Sequence, residues 1–368
     1  MNFSNEDNVG TNSSNDSCTE TWNTNITYKT EDFNNSWSNL QTIMCNNDSY
    51  VLYTAPVPTE LSIIYCDAVL ALIVVIINSV LISALLRKTN ITVINILLSV
   101  LGLSEVCYAV FACFPVCVGV IMDSLPVNFW HRDIHPGLIQ VLILYPFCVG
   151  FDVTNRLAEL FHTISLLITT FLSLLKALIM IFPMKARIYL SRNVTVAVCI
   201  LIFCFCVAIY LPFFVTKLFI RYNYNLCCFK AELEFLYRPT FIWINSITYM
   251  FSFFIMIVST IYISLKLTIL KTNIQKIENY KTQRRNRRAA IIVVLVVMVF
   301  VLSEAIPIIC YISVFFTGNW SWCLSRYFQY QQLIMLFGFA FNFTIYSVMG
   351  KELRTQVYNC ITCFRRNK

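Results

Sequence analysis

Beyond residue 60 the chain alternates between long apolar stretches and short polar connectors. Seven of the stretches approach or exceed the roughly 20 residues a helix needs to cross a bilayer. They run over 62–86, 92–121, 147–180, 194–216, 241–267, 289–315 and 327–349. In lipid every backbone N–H and C=O of such a separated segment must be satisfied within the segment, so helix is the only reading. The pattern predicts an all-α membrane protein with a seven-transmembrane helix bundle over residues 61–349. The third stretch has the least defined start. Gly137 to Tyr145 is also apolar, and either lengthens the helix or lies along the membrane surface.

Both flanks differ from this pattern. Residues 1–60 are rich in Asn, Ser and Thr and carry eight acidic residues against one basic, Lys29, a composition that builds no core. Sequons begin at Asn2, Asn12, Asn15, Asn25, Asn34 and Asn47, which is meaningful if this tail is extracellular and glycosylated. No cleavable signal peptide precedes the first span, which would then serve as the targeting signal. After the last span, residues 350–368 place Leu353, Val357 and Ile361 on one helical face. That predicts a short amphipathic helix on the inner leaflet, with Cys360 and Cys363 placed for palmitoylation.

Composition and charge narrow the class. The chain has 58% hydrophobic and only 12% charged residues among its 368, which excludes two ordinary soluble domains. Its net charge of +8 points to topology rather than nucleic acid, because the cations are segregated along the chain. One alternating set of connectors, with Lys176 and the carboxyl-terminal tail, holds nineteen cations and two acids, Glu278 and Glu352. This set faces the cytoplasm by the positive-inside rule, leaving the amino terminus outside. Asn90 and Asn193 then sit in cytoplasmic sequons and stay unmodified, whereas Asn319 lies in an outer loop. The run from Lys281 to Arg288 is a stop signal at the membrane surface and can also meet anionic lipid or an acidic partner. Many of the sixteen cysteines, among them Cys66, Cys107, Cys113, Cys117, Cys199, Cys204, Cys206 and Cys310, fall inside apolar runs and read as small buried hydrophobes.

A few polar positions inside the spans carry what chemistry there is. Asn78, Asn95, Glu105 and Asn342 sit where hydrocarbon penalises them, so they should face one another or trapped water. Glu105 additionally needs a partner or a proton, and such groups bind cations or switch with conformation. Lys176, a lone cation at the inner end of the third span, must snorkel, pair or face protein. Pro115, Pro212 and Pro307 permit kinks, and pivoting at Pro307 would move the most basic inner segment. His131 and His135 have a metal-compatible helical spacing, but Pro136 favours a surface loop instead. With three histidines and no HExxH, GxSxG or P-loop, no enzyme chemistry and no cofactor or metal is assigned. No internal repeat favours a transporter and no re-entrant motif favours a channel.

These residues together resemble the rhodopsin-like receptors coupled to G proteins. Asn342-Phe-Thr-Ile-Tyr346 is similar to the NPxxY element, with Phe343 in the proline position. The longer string from Asn342 to Arg354 resembles the ending of invertebrate FMRFamide-type peptide receptors. Leu175-Lys176-Ala177 occupies the place of DRY, with lysine for arginine. His162-Thr-Ile-Ser165 and Pro183-Met-Lys-Ala-Arg187 are similar to sex-peptide and myosuppressin receptors and to the nematode Srw chemoreceptor group. The Ile77-Asn78 pair and the Asn95 to Glu105 spacing match the first two helices, Tyr262 the fifth-helix tyrosine and Pro307 the sixth-helix proline. The chain departs from the family at Ala305, where tryptophan is common, at Phe254, where proline is, and before Lys176, where no acid stands.

The resemblance implies a plasma-membrane receptor for a small neuropeptide, the amidated Arg-Phe type among the candidates, signalling to a heterotrimeric G protein. An Srw-like chemosensory receptor for environmental peptides or small molecules is the alternative, with a transporter or channel behind it. An opsin does not fit, since 327–349 contains no lysine. The candidate ligand carboxylates are Asp152, Glu159 and Glu304, with His162 and Gln332 as hydrogen-bonding groups and Arg156 as an alternative partner for Asp152 or Glu159. Asn78, Glu105, Lys176, Tyr262, Arg288, Pro307, Asn342 and Tyr346 are expected to serve activation and coupling. The family also implies a disulfide from Cys148 to either Cys227 or Cys228, with Cys18, Cys45 and Cys323 leaving room for another.

Overall fold

The computed structural model describes residues 50–52, 54–58, 61–86, 92–123, 131–135, 138–142, 145–182, 191–216, 219–221 and 227–273. It also describes 291, 294–295, 297–305, 308–309 and 330–342. Five long helices dominate: α1 (Leu61–Leu86), α2 (Val93–Asp123), α3 (Phe147–Ile181), α4 (Arg192–Thr216) and α5 (Ala231–Asn273). All five are long and apolar enough to cross a membrane, and their bounds follow the apolar stretches closely except in α5, which extends past its stretch at both ends. Residues 297–305 and 330–342 are helical too and lie within the sixth and seventh predicted stretches.

Local chemistry sets several of these ends. Thr92 caps α2, its Oγ1 accepting from the Asn95 N–H at 3.3 Å, and Ser191 does the same for Val194 at the start of α4. Each side chain satisfies a donor that the first helical turn leaves unpaired. At the far end of α3, Phe182 leaves helical backbone with φ −127° and ψ 70°, because Pro183 excludes the α region from the residue before it.

The helices are arranged inside out relative to a water-soluble bundle. On α5, Ile247, Phe251, Phe254, Val258, Ile261 and Leu265 form an exposed stripe at helical spacing, while Asn245, Ser252, Ser259 and Thr260 are buried. Exposed apolar faces of this length suit hydrocarbon rather than water. Helix α3 is the axis: 56% of an 18-residue apolar stretch of it is buried, against 50% in α2 and 22% in α4 and in α5, and it packs on α2, α4 and α5. Helix α1 packs on α2. Leu101, Leu166, Ile168, Leu172, Met256, Val297 and Leu336 meet in the shared core. The described chain is thus a multi-pass, membrane-type helical bundle.

Two small antiparallel sheets cap one end, and the hydrophobic pattern did not predict them. Strands β1 (Tyr50–Leu52) and β2 (Thr54–Pro58) arise within the tail expected to lack structure up to residue 60. Strands β3 (His131–His135) and β4 (Leu138–Leu142) lie between α2 and α3, and β5 (Phe219–Arg221) and β6 (Cys227–Lys230) between α4 and α5. The sheets are ordered β1-β6-β5 and β2-β4-β3, so one segment before α1 adds an edge strand to both hairpins. Pro56 and Pro58 suit such an edge, where a residue that has no N–H to donate costs the sheet least. The His131–His135 segment, expected as a loop, is a strand paired with β4. The apolar 137–145 stretch, expected as helix or surface segment, supplies β4.

Expectations that depend on the remaining residues lie outside those described: the six sequons at Asn2, Asn12, Asn15, Asn25, Asn34 and Asn47, Asn319, Arg288, Pro307, Tyr346, the amphipathic helix after residue 349, Cys360 and Cys363.

Candidate functional site

Two polar layers cross the middle of the bundle, about one helical turn apart. In the layer farther from the sheets, Glu105 is 1% exposed and accepts from Asn78 Nδ2 at 3.0 Å and from Asn342 Nδ2 at 2.9 Å. One carboxyl thereby joins α1, α2 and the 330–342 segment. Asn95, considered with these residues, is instead half-buried at the start of α2, and its backbone N–H donates to the Thr92 cap.

The second layer is built from the residues one turn nearer the sheets. Tyr108 stands three residues beyond Glu105 on α2, and Phe339 three before Asn342, a rise of about 4.5 Å on each helix. The Tyr108 and Phe339 rings meet edge to face at 5.3 Å between centroids. His162 of α3 lies among them, its ring 5.8 Å from Tyr108, 5.9 Å from Tyr249 and 6.4 Å from Phe339. Its Nε2 is 2.9 Å from Glu304 Oε1, an ion pair when the imidazole is protonated. The contact lacks hydrogen-bond alignment, so both ring nitrogens and both Glu304 oxygens keep unused hydrogen-bonding capacity at sites closed to water. Glu304 itself is 0% exposed.

The other predicted ligand residues distribute unevenly around this layer. Glu159 pairs with Arg156 at 3.1 Å, the intrahelical pairing considered above, and the Arg156 guanidinium lies over the Phe213 ring at 4.9 Å. Asp152 is buried one turn from Cys148 and has a partner within the protein. Gln332 Nε2 donates to the Ala112 carbonyl at 2.9 Å, tying the 330–342 segment to α2. Of the six, His162 and Glu304 come together and retain capacity for a further partner.

Two groups escaped the sequence reading. Asp67 of α1 is 3% exposed and its Oδ1 has no hydrogen-bond partner. It is the one ionisable acid in an otherwise apolar span, a signal that should have marked it. Together with Glu159 and Glu304 it lies close enough to the Tyr108 hydroxyl to act on it electrostatically. The second group is the fully buried Tyr210 hydroxyl of α4, which is 3.0 Å from Thr163 Oγ1 and accepts from Asn245 Nδ2 at 3.3 Å. It links α3, α4 and α5.

At the two ends, other predicted residues find their places. Cys148 is bonded to Cys227, which resolves the choice with Cys228. Cys228 is in a disulfide of its own. The Cys148–Cys227 bridge packs with Phe151 and fixes the start of α3 to β6. At the opposite end Tyr262 packs beside Ala177 and Ile263 with Met180 and Val294, one residue from the half-buried Lys176. Among the described residues no group of histidine, cysteine and carboxylate side chains is arranged to hold a metal. No protein-family model matches the chain, and no curated protein matches it either.

Proposed function

We propose that this chain is a rhodopsin-like receptor of the cell surface that transmits binding of a small extracellular ligand, an amidated Arg-Phe-type neuropeptide foremost, to a heterotrimeric G protein. The observation that carries this reading is the meeting of Asn78, Glu105 and Asn342. These three residues were expected to face one another as polar groups in apolar spans, and the resemblance assigns them to activation and coupling; they stand up to 264 positions apart (342 − 78) and share one carboxyl. The Cys148–Cys227 bridge, one of the two pairings the resemblance implies, supports it as well.

In this reading the segments 297–305 and 330–342 are the cores of the sixth and seventh spans. The sheets and the sequon-rich tail face outward, and the basic connectors face the cytosol. The ligand enters at the sheet end and reaches the layer of His162 and Glu304. It acts by binding one arrangement of the bundle more tightly than another, since only differential affinity can shift such an equilibrium. The favoured arrangement has the base of the sixth helix displaced, opening the basic inner face to the G protein.

The test is a screen of cells expressing the full chain against amidated peptides and small odorants, read by calcium and cyclic AMP. A dose-dependent response to amidated peptides is expected. A response only to odorants replaces the peptide reading with a chemosensory one, and ligand-independent ion flux through the purified protein replaces both with a channel or transporter.

A further inference from the structure

Glu304 lies on the 297–305 segment, fully enclosed, facing the one imidazole within reach. The rings of Tyr108, Tyr249 and Phe339 surround that imidazole at centroid separations of 5.8 to 6.4 Å. Aromatic rings around a position opposite a carboxylate are surroundings that can hold an organic cation, by its charge and by the ring quadrupoles together. His162 fills the position here without the alignment that would use the Glu304 oxygens. Asp67, on a different helix and nearer the sheets, adds a second enclosed carboxylate oxygen with no partner. A carboxylate so enclosed is costly unless its charge is met, and Glu304 is met here only by an unaligned imidazole, which makes a cation the fitting guest.

We infer that this layer is the seat of a positively charged ligand group, a guanidinium or alkylammonium, which takes the place of His162 as the partner of Glu304 while Asp67 attracts it from the sheet side. The inference rests on the receptor reading for the ligand's biological role, but not for its binding. Glu159 is a lesser contributor, because Arg156 already neutralises it. Displacing His162 would also loosen the link between α3 and the 297–305 segment, which gives binding a route to conformational change.

The experiment uses the full chain purified into lipid nanodiscs and follows its thermal unfolding with three probes, each acetylated on its α-amine so that only the side chain can carry charge: arginine amide, lysine amide and the neutral isostere citrulline amide. Arginine amide, lysine amide or both are expected to raise Tm in a saturable way while citrulline amide does not. Glu304→Gln and Asp67→Asn should each weaken binding by about tenfold or more, the cost of losing a hydrogen bond to a charged group. Asp67→Glu should restore it. His162→Phe should tighten binding, because it removes the internal competitor for Glu304. Equal shifts from arginine and citrulline amides, no shift at millimolar probe, or full-strength binding by both carboxamide variants would overturn the site. Should a variant fail to elute as a single folded species, the charged and neutral probes on the parent chain still decide. Cation binding without any G protein response would leave the site standing and remove the receptor reading, and a response indifferent to ligand charge would do the reverse.

Discussion

Asn342 Nδ2 donates to Glu105 Oε1 across 2.9 Å, joining positions 237 residues apart. Asn78 reaches the other oxygen of the same carboxyl, and the carbonyl oxygens of both asparagines remain without partners. That leftover capacity predicts an asymmetry between two substitutions. In Glu105→Gln the new amide keeps one acceptor and gains a donor, and either asparagine can turn its amide to present Oδ1 to it. The variant should unfold within about 1 kcal/mol of the parent. Glu105→Leu strands two buried amides and should lose about 2 to 6 kcal/mol, at about 1 to 3 per orphaned group. Thermal or denaturant unfolding of both variants in nanodiscs checks the order, and equal losses would refute the shared-carboxyl account.

The Tyr210 hydroxyl makes a second test of the same principle. It touches Thr163 and Asn245 on two other helices, and the Asn245 Oδ1 has no partner. Tyr210→Phe should therefore destabilise modestly. In a double-mutant cycle with Thr163→Val, a coupling of about 0.5 to 1.7 kcal/mol is expected, the range of interhelical hydrogen bonds in membranes. Zero coupling would mean that the two oxygens merely lie near each other.

The hydrophobic pattern located the five described spans to within a few residues over most of their bounds, because in lipid the length and apolarity of a helix are set by the solvent itself. It failed at the sheets for the opposite reason. Tyr50–Pro58 becomes strand only by pairing with hairpins more than 75 residues away in sequence, and no local signal encodes a non-local partner. The same holds within the site. Glu105 and Glu304 were visible as isolated charges in apolar runs, but their partners were a matter of packing. Asp67 gave the same signal in the first span, a lone acid in an apolar run, but no polar residue elsewhere in the sequence marked its place in the packing. The predicted span of 241–267 matches the apolar stretch Thr240–Lys266 of α5, while the helix itself begins ten residues earlier at Ala231, because a helix can project beyond the membrane without remaining apolar.

Close packing between the 297–305 and 330–342 segments predicts the behaviour of Gly338. A methyl group there would meet Ser303 and Val299 at 3.8 Å, ordinary van der Waals contact. Gly338→Ala should thus be accommodated and raise stability by up to about 1 kcal/mol through helix propensity. Gly338→Leu must push Ser303 aside, one residue from Glu304, and should cost about 1 to 3 kcal/mol. Because it bears on the neighbour of the cation-seating carboxylate, it should also alter probe binding. Unfolding and binding measured on the same preparations would separate the two effects.

The Cys148–Cys227 bridge spans a sequence separation of 79 and holds the start of α3 against β6, beside Phe151 and Phe229. By loop-closure entropy, opening it should lower stability by about 4.5 kcal/mol. The double variant Cys148→Ser with Cys227→Ser is the appropriate form, since a single change leaves a thiol beside the disulfide-bonded Cys228. The loss should be local in its functional consequence. The sheet end that the ligand must pass would lose its anchor, while the Glu105 layer, held by Asn78 and Asn342, would keep its hydrogen bonds. Probe affinity is therefore expected to fall more than the Glu105→Gln to Glu105→Leu difference changes when both are measured in the disulfide-free background. If the Glu105 difference disappears with the bridge, the two layers and the sheet end form one cooperative unit and the separation drawn between them is wrong.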